Sequence, residues 1–297
     1  MMRPTNDFLE VPLSESPVDV NVAGLFSYPV KGCRVIAHAS AYVLAIGIRH
    51  DREWMVVDTR HSPAKFLSQR ESPLMATLTV AVTDDEGLLI SGGDDVLTVP
   101  PPARNALLKV KVWNHETVAL DAGDVASDWL NAKLGMARGQ LRLVRFHPDM
   151  RRDCNRLHAG DSDAHTFFSD GYPLLVANVE SLADLNVRMN RDLSNAMPMD
   201  RFRPNVVIAG LPAWDEDHVD TLSIGEVVLK LVKPCVRCQV TTTDQISGAR
   251  LSDEPLITLA KFRNNPDFGG VTFGWNDVVI KSGRVSNGDR VIAAYRF

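Results

Sequence analysis

Cysteine is scarce in this sequence, with 4 residues in 297. They are Cys33, Cys154, Cys235 and Cys238, and only the last two are close together. Four such scattered thiols do not make the framework of a small disulfide-stabilised secreted domain. The sequence also has no second Cys pair or matching His cluster that would complete a four-ligand zinc site with the pair at 235 and 238.

Excess positive charge and long apolar runs are also missing. The formal net charge is −5, which argues against a protein that binds nucleic acid through a broad basic face. No apolar run reaches the roughly 20 residues needed to span a bilayer, and the N-terminus lacks the pattern of a signal peptide. We therefore expect a cytoplasmic protein with neither a membrane nor a nucleic acid as partner.

The remaining composition is typical of a globular protein, with 45% hydrophobic and 23% charged residues. A chain of this length suffices for one large domain or two ordinary ones. Residues 1–19 are rich in Pro, Ser and acidic side chains, which predicts a flexible arm. We place a boundary in the polar region between Gly139 and Asp161, which gives two domains at 20–147 and 148–297.

Short β-like runs, such as the one from Met75 to Val82, fill the first of these domains. They are separated by turn signals such as Asp84-Asp85-Glu86-Gly87, and their spacing predicts a β-barrel or sandwich rather than βαβ units. Helices are predicted at 121–135, at 181–189 with Ser181 as an N-cap, and at 254–262. The expected fold class is therefore mixed α+β and rich in strands.

One stretch stands out chemically, from Lys233 to Asp244. An apolar, β-branched run precedes it, and Pro234 is expected to end that strand because proline has no N–H to donate. Cys235, Arg237 and Cys238 follow, and a thiolate beside a cation is a good metal ligand or nucleophile. The pair is also consistent with half of a zinc site, with a thioredoxin-like redox pair, or with two inert core thiols. The residues alone favour the inert thiols.

Five patches together resemble a known family. The chain resembles the MOSC family, preceded by that family's N-terminal β-barrel domain, and is similar to the amidoxime-reducing components and the bacterial reductases of N-hydroxylated bases. The resemblance runs from about Val20 to the C-terminus and implies a MOSC domain built as a β-barrel with flanking helices. Its patches, in family order, are Tyr28-Pro29-Val30-Lys31-Gly32, Asp51-Arg52-Glu53-Trp54, Ser169-Asp170-Gly171-Tyr172-Pro173, Phe202-Arg203-Pro204-Asn205 and Lys233-Pro234-Cys235-Val236-Arg237-Cys238.

The resemblance implies a molybdenum cofactor, Mo-molybdopterin, with Cys238 as the protein ligand to the metal. A soft thiolate suits a sulfur-rich molybdenum centre. At two of the family's contact positions, Gly32 and Gly171, close relatives often carry hydroxyl side chains, so only backbone contacts are available here. The family's cofactor-binding positions fall on Lys31, Gly32, Arg52, Ser169, Asp170, Gly171, Arg203, Val236 and Arg237.

Each of these residues also has a plainer interpretation. Lys31 and Arg52 are consistent with solvated or salt-bridged surface charges, whereas a buried lone Arg203 requires an anion. Asp170 either caps a turn or acts catalytically by holding a proton or a water near the metal. Cys235 stays open between a structural and a redox role.

The implied activity is a molybdenum-dependent reduction that cleaves the N–O bond of a small N-hydroxylated substrate. Electrons are expected from a separate protein, a ferredoxin- or cytochrome-type reductase, because this sequence ends soon after its last predicted strand without a further cysteine cluster. Two other functions stay open: a carrier of the cofactor or sulfur-transfer module, and a cofactor-free interaction scaffold.

Overall fold

The computed structural model describes residues 19–160 and 162–296. The predicted flexible arm at 1–19 lies, apart from Asp19, outside the described residues. The helices are α1 Asp124–Lys133, α2 Arg156–Ala159, α3 Val179–Arg188 and α4 Leu256–Ala260. The strands are β1 Asn21–Ser27, β2 Val30–Lys31, β3 Ile36–His38, β4 Ser40–Leu44, β5 Gly47–Ile48, β6 Trp54–Asp58, β7 Ala64–Phe66, β8 Thr79–Val82, β9 Leu88–Gly92, β10 Asp95–Val99, β11 Leu107–Val112, β12 His115–Asp121, β13 Leu141–Phe146, β14 Leu174–Asn178, β15 Val206–Ala209, β16 Val219–Ile224, β17 Val227–Val236, β18 Asn264–Asn265, β19 Gly270–Lys281, β20 Gly283–Ser286 and β21 Val291–Tyr295.

The N-terminal half contains a closed barrel. Its strands pair in the ring β6, β7, β11, β12, β13 and back to β6, with β7 and β11 parallel and the other pairs antiparallel. Met55, Phe66, Val110, Ala119 and Val144 represent all five strands in one buried cluster. Since successive side chains of a strand point to opposite faces, this cluster fills the barrel interior.

The other face of the barrel wall packs outward. Trp54 and Val56 of β6, with Leu141 and Leu143 of β13, belong to a second buried cluster together with residues of α1 and of the sheet β8–β9–β10. The five residues of β6 are therefore all buried. This double burial explains why β6 appears in the sequence as an unbroken apolar run rather than as an alternating one.

A larger sheet is formed mostly by the C-terminal half. Its strand order is β21-β16-β17-β19-β14-β15-β1-β3, and a small sheet of β20, β4 and β5 lies beside it. The first strand of the chain thus pairs with β15, far away in sequence. The predicted class is confirmed: a β-rich α+β protein with an N-terminal barrel and a second β-rich part. The division at residues 147 and 148 stays a prediction.

Three local predictions are corrected by the structure. Pro234 does not end its strand, because β17 continues to Val236. Strand β16 pairs with β17 only as far as Lys230, and register shifts in the β17–β19 pairing beyond that point accommodate the missing N–H. The helix predicted from Ser181 begins at Val179.

That helix is capped by Asn178, whose side chain accepts a hydrogen bond from the Glu180 N–H. Ser181 instead is buried and donates to Glu216 at 2.7 Å. The strand predicted from Met75 begins only at Thr79, after a 3-10 turn at Pro73–Thr77. Within the described residues, no helix is both long and apolar enough to cross a membrane.

Asp277 of β19 provides a test of the packing of the large sheet. It is fully buried; its Oδ2 accepts a hydrogen bond from the Val176 N–H at 3.0 Å, and its Oδ1 has no partner among the described residues. Burial raises the pKa of this carboxyl well above its usual range, despite that hydrogen bond and the charge of Arg296. The folded protein therefore retains a proton that the unfolded chain loses above about pH 4, so this group's contribution to stability falls as the pH rises towards neutral.

We predict that Asp277→Asn stabilises the protein at neutral pH but not at acid pH. The expected increase in Tm is about 2–4 °C at pH 7.5, which corresponds to roughly 1 kcal/mol, and it should shrink towards zero at about pH 3, where both states hold the proton. Thermal denaturation at both pH values measures it. Asp267→Asn, at an exposed site, is the control and should leave Tm unchanged. A stabilisation that does not grow with pH would contradict the assignment.

Candidate functional site

A cleft of about 150 Å³ opens between the N-terminal barrel and the large sheet. Its walls come from the ends of β2, β7 and β17, from the β11–β12 hairpin, and from the loops that precede β14 and β15. The ten residues predicted as site residues lie far apart in sequence but all line this cleft: Lys31, Gly32, Arg52, Ser169, Asp170, Gly171, Arg203, Val236, Arg237 and Cys238.

The cleft is strongly positive. Five cationic side chains line it and one carboxylate, that of Asp170, accompanies them, whereas the whole chain carries a net charge of −5. A concentration of one sign of charge in a concave site attracts ions of the opposite sign. The cations are Lys31, Arg52, Arg70, Arg203 and Arg237.

Arg203 is the cation with the least compensation. It is buried, and its guanidinium stacks on the Tyr28 ring at 4.1 Å. Nη1 donates to Gln245 at 3.1 Å, and Nη2 has no hydrogen-bond partner among the described residues. Burial lowers the pKa of Arg203, and the nearby charge of Arg52 adds to this effect. A buried guanidinium with only neutral partners is costly unless an anion approaches it.

Arg52 approaches the same tyrosine ring from the loop between β5 and β6. Its guanidinium lies 4.5 Å from the Tyr28 ring, and Nη1 donates to Asp51 and, at 2.9 Å, to Asn205. Arg52 and Arg203 both have positive φ, 48° and 56°. Such conformations are uncommon for side chains of this size and persist where the surroundings fix them. The two arginines are therefore held in place by the loops and by the ring that they share.

Lys31 and Asp170 form an ion pair across the cleft at 2.5 Å. The Asp170 side chain is 74% exposed to water but lies in a concave site surrounded by protein. Desolvation by those walls raises the pKa of Asp170. The charge and hydrogen bond of Lys31, together with the hydrogen bond from Trp113, lower the pKa by a larger amount, so the net shift is downward. Asp170 is therefore a carboxylate at neutral pH, which favours accepting and orienting over proton storage.

The two thiols of the Cys-x-x-Cys stretch have different surroundings. Arg237 donates from Nη1 to Cys235 Sγ at 2.8 Å and from Nη2 to the Phe202 carbonyl at 2.7 Å. Cys238 is exposed, and Arg70 Nη1 lies 3.7 Å from its sulfur. Arg237 Nε has no partner among the described residues. The accessible thiol is thus the one predicted as a metal ligand, with unsatisfied donors beside it.

The structure adds five residues around the site that the sequence analysis does not predict. They are Gln69, Arg70, Trp113, Arg152 and Gln245. Arg152 is buried and donates to the carbonyls of Ser169 at 2.5 Å and Asp170 at 2.8 Å, which fixes that loop. Gln69 and Gln245 exchange hydrogen bonds of 3.0 and 2.9 Å between the two halves of the protein. A signal existed only for Trp113, an aromatic residue next to Asn in a short turn between two predicted strands.

Gly32 is explained by its backbone. Its φ is +86°, and a Cβ there would lie 2.9 Å from Met75 Cε. A larger residue would be strained at this position. Gly171 has open space around it, so no comparable constraint accounts for glycine there.

Comparison with known proteins matches both halves. The family model of the MOSC N-terminal beta barrel domain matches residues 19–137, and that of the MOSC domain matches residues 162–292. The mitochondrial amidoxime-reducing component 1 of Mus musculus is 34% identical over 251 residues, which cover 82% of this chain and 71% of the relative. The chain belongs to the MOSC family. Component 1 of Homo sapiens is 33% identical to this MOSC protein over 254 residues, covering 82% and 72% of the two chains.

Solved structures resemble this MOSC protein only distantly. The YUAD protein from Bacillus subtilis aligns with 95% of this chain and 100% of its own at 12% identity, with a TM-score of 0.43. This likeness adds nothing to the family assignment.

MOSC domains are a family that binds the molybdenum cofactor, and the residues of this cleft suit such a group. Orphaned donors on Arg203 and Arg237 suit an anionic tail, and an accessible thiol suits a soft metal. Within residues 19–160 and 162–296, no three His, Cys, Asp or Glu side chains are arranged to hold a metal ion. A metal in this MOSC protein would therefore bring most of its ligands with it.

We predict that Arg203→Gln abolishes stabilisation by an anion. The test uses protein prepared from cells grown without molybdate. Inorganic pyrophosphate should raise the Tm of the wild type because it binds the folded state alone. At one hundred times its Kd, the free energy of unfolding should increase by about 2.7 kcal/mol. The variant lacks the uncompensated guanidinium and should show little shift. Differential scanning calorimetry with and without pyrophosphate measures the effect.

Arg138→Gln is the matched control, because Arg138 is exposed and already paired with Asp128 at 2.8 Å. It should keep the full pyrophosphate shift. If Arg203→Gln kept that shift too, the buried guanidinium would not be the anion site.

Proposed function

We propose that this protein is a molybdenum-cofactor-dependent reductase that cleaves the N–O bond of small N-hydroxylated substrates. The observation that carries the proposal is the cleft itself: five cations and one carboxylate surround an exposed thiol in a chain whose net charge is negative. The names of the relatives, amidoxime-reducing components, supply the substrate class.

The cationic wall would hold the anionic tail of the cofactor. Arg203 Nη2 and Arg237 Nε are buried donors without partners, and Arg52 lies beside Arg203 on the Tyr28 ring. Guanidinium groups bind phosphate through paired N–H donors, and the gain is large where water is excluded. Lys31 adds charge but is already paired with Asp170. Gly32, Ser169, Gly171 and Val236 border the same space.

Cys238 would be the protein ligand of the metal. It lies two residues beyond the end of β17, and its carbonyl accepts the Thr241 N–H at 3.0 Å, which starts the next 3-10 turn. The backbone of this residue is therefore fixed while its sulfur stays exposed. When bound, the cofactor supplies two-electron chemistry that removes oxygen from nitrogen.

The reaction consumes two electrons and two protons, breaks the N–O bond, and releases the amine-type product and water. Asp170 is ionised and does not bring a stored proton at neutral pH, so protons would reach the site from solvent through the open cleft. The carboxylate can instead accept a hydrogen bond from an N–H or O–H group of the substrate.

Electrons would come from a separate ferredoxin- or cytochrome-type protein, as expected from the sequence. The relatives described above are named as mitochondrial proteins. The cytoplasmic location expected for this protein stays a prediction.

We predict that Cys238→Ser lowers the molybdenum content by about tenfold or more, because loss of a ligand costs at least as much as loss of an outer-shell partner. Protein from molybdate-supplemented cells is measured by inductively coupled plasma mass spectrometry. Wild-type protein should contain about one molybdenum per chain, as one cofactor site requires, and convert benzamidoxime to benzamidine with reduced methyl viologen as donor.

Cys235→Ser is the matched control, since Cys235 lines the same cleft three residues earlier. It should retain molybdenum. Retention of both metal and activity by Cys238→Ser would refute the ligand assignment. Wild-type protein that holds molybdenum but forms no benzamidine would instead identify a cofactor carrier or sulfur-transfer module.

A further inference from the structure

A hairpin of the N-terminal barrel extends to the mouth of the cleft. Trp113 lies between β11 and β12 and lines the cleft with 45% of its surface exposed. Its φ is +54°, a conformation normally left to Gly, Asn or Asp in tight hairpin turns. For a bulky side chain this is an outlier, and such outliers are concentrated at functional sites.

Trp113 contacts two charged side chains that line the cleft, Asp170 and Arg70. Its indole N–H donates to Asp170 Oδ1 at 3.0 Å, and the Arg70 guanidinium lies over its ring at 4.8 Å. The same guanidinium lies 3.7 Å from Cys238 Sγ. The ring itself is supported by Phe66, with centroids 5.1 Å apart. One side chain of the barrel thus fixes a carboxylate and a cation that belong to different walls of the cleft.

The hydrogen bonds to Asp170 leave one oxygen available. Lys31 and Trp113 both donate to Oδ1, while Oδ2 accepts no hydrogen bond from the described residues. Two donors on one oxygen fix the rotation of the carboxylate, so the second oxygen has a defined direction. A carboxylate held this way suits a ligand with N–H or O–H donors, such as an amidoxime.

Resting on the proposed function, we propose that Trp113 is a positioning residue for the substrate. It acts through Asp170, by orienting the carboxylate that accepts the donor groups of a planar N-hydroxylated amidine, and it holds Arg70 beside Cys238. The N-terminal barrel therefore contributes to substrate binding through Asp170.

The test measures binding without turnover. Molybdenum-loaded protein is titrated with benzamidoxime by calorimetry in the absence of an electron donor. Trp113→Phe keeps an aromatic ring for Arg70 but loses the N–H donor, and we expect its Kd to rise about 3- to 10-fold, the effect of losing one ordinary hydrogen bond. Trp113→Ala loses both contacts and should bind more weakly still. The molybdenum content should be unchanged in both.

Trp129 offers a matched control within the same protein. Its indole N–H donates to Asp95 at 3.0 Å, and Lys133 lies over its ring at 5.6 Å and pairs with Asp95 at 2.9 Å. As with Trp113 and Lys31 at Asp170, an indole N–H and a lysine both contact one carboxylate. Trp129, however, does not line the cleft. Trp129→Phe should leave the Kd for benzamidoxime unchanged.

A double-mutant cycle tests the route through Asp170. In the Asp170→Asn background, Trp113→Phe should change Kd by less than about twofold, because the group through which it acts is already altered. An equal effect in both backgrounds, a Kd for Trp113→Phe equal to that of the wild type, or loss of molybdenum from Trp113→Phe would overturn the proposal. Wild-type protein that binds benzamidoxime without reducing it would overturn the proposed function and leave this inference standing.

Discussion

The site depends on positive charge that the protein itself leaves uncompensated. Arg203 is buried against Tyr28 and Gln245, both neutral, and no carboxylate bonds to it among the described residues. Elsewhere the same chain pairs its arginines with acids, as with Arg263 and Asp217. A desolvated cation costs several kcal/mol when it is unpaired. That cost is relieved when an anion enters the cleft, so ligand binding and stability are coupled at this position.

The cleft requires both halves of the protein to be docked in one way. Gln69 and Gln245 bind each other across the junction, Arg52 of the N-terminal half reaches Asn205, and Lys31 reaches Asp170. These contacts are polar and directional, unlike the apolar cluster that fills the barrel. Because hydrogen bonds between fixed loops tolerate little displacement, a small shift of the barrel would separate Lys31, Arg52 and Arg70 from the thiol. The first strand strengthens this docking, since β1 belongs to the large sheet.

The sequence predicts those parts of the site that are encoded locally. Strand patterning predicted a β-barrel or sandwich, and short patches around Lys31, Arg52, Asp170, Arg203 and Cys238 indicated residues that the fold brings together. Arg70 and the glutamines escape such reasoning, because their partners lie far away in sequence and none forms a recognisable pattern by itself.

Two corrections share a similar cause. Pro234 is tolerated within β17 because the pairing on one side has already ended, and Ser181 serves a buried glutamate rather than a helix terminus. Neither environment can be derived from neighbouring residues, since both are set by strands and turns that join the site only after folding. Local propensity is a weak guide where tertiary contacts satisfy the same backbone groups.

The surroundings of the two cleft thiols argue for a division of labour between them. Arg237 is fixed at three points: its Nη1 by Cys235 Sγ, its Nη2 by the Phe202 carbonyl, and its backbone N–H by the Val271 carbonyl at 2.8 Å. Cys235 therefore helps to aim the unpaired Nε of Arg237, whereas the Cys238 sulfur is left exposed with one guanidinium nearby. A site for a metal on an anionic cofactor is served by one free thiol beside a fixed cation, whereas a redox pair needs two thiols that are free to meet. The contacts of Arg237 satisfy the first requirement and oppose the second, because Cys235 would have to leave the guanidinium before it could join Cys238.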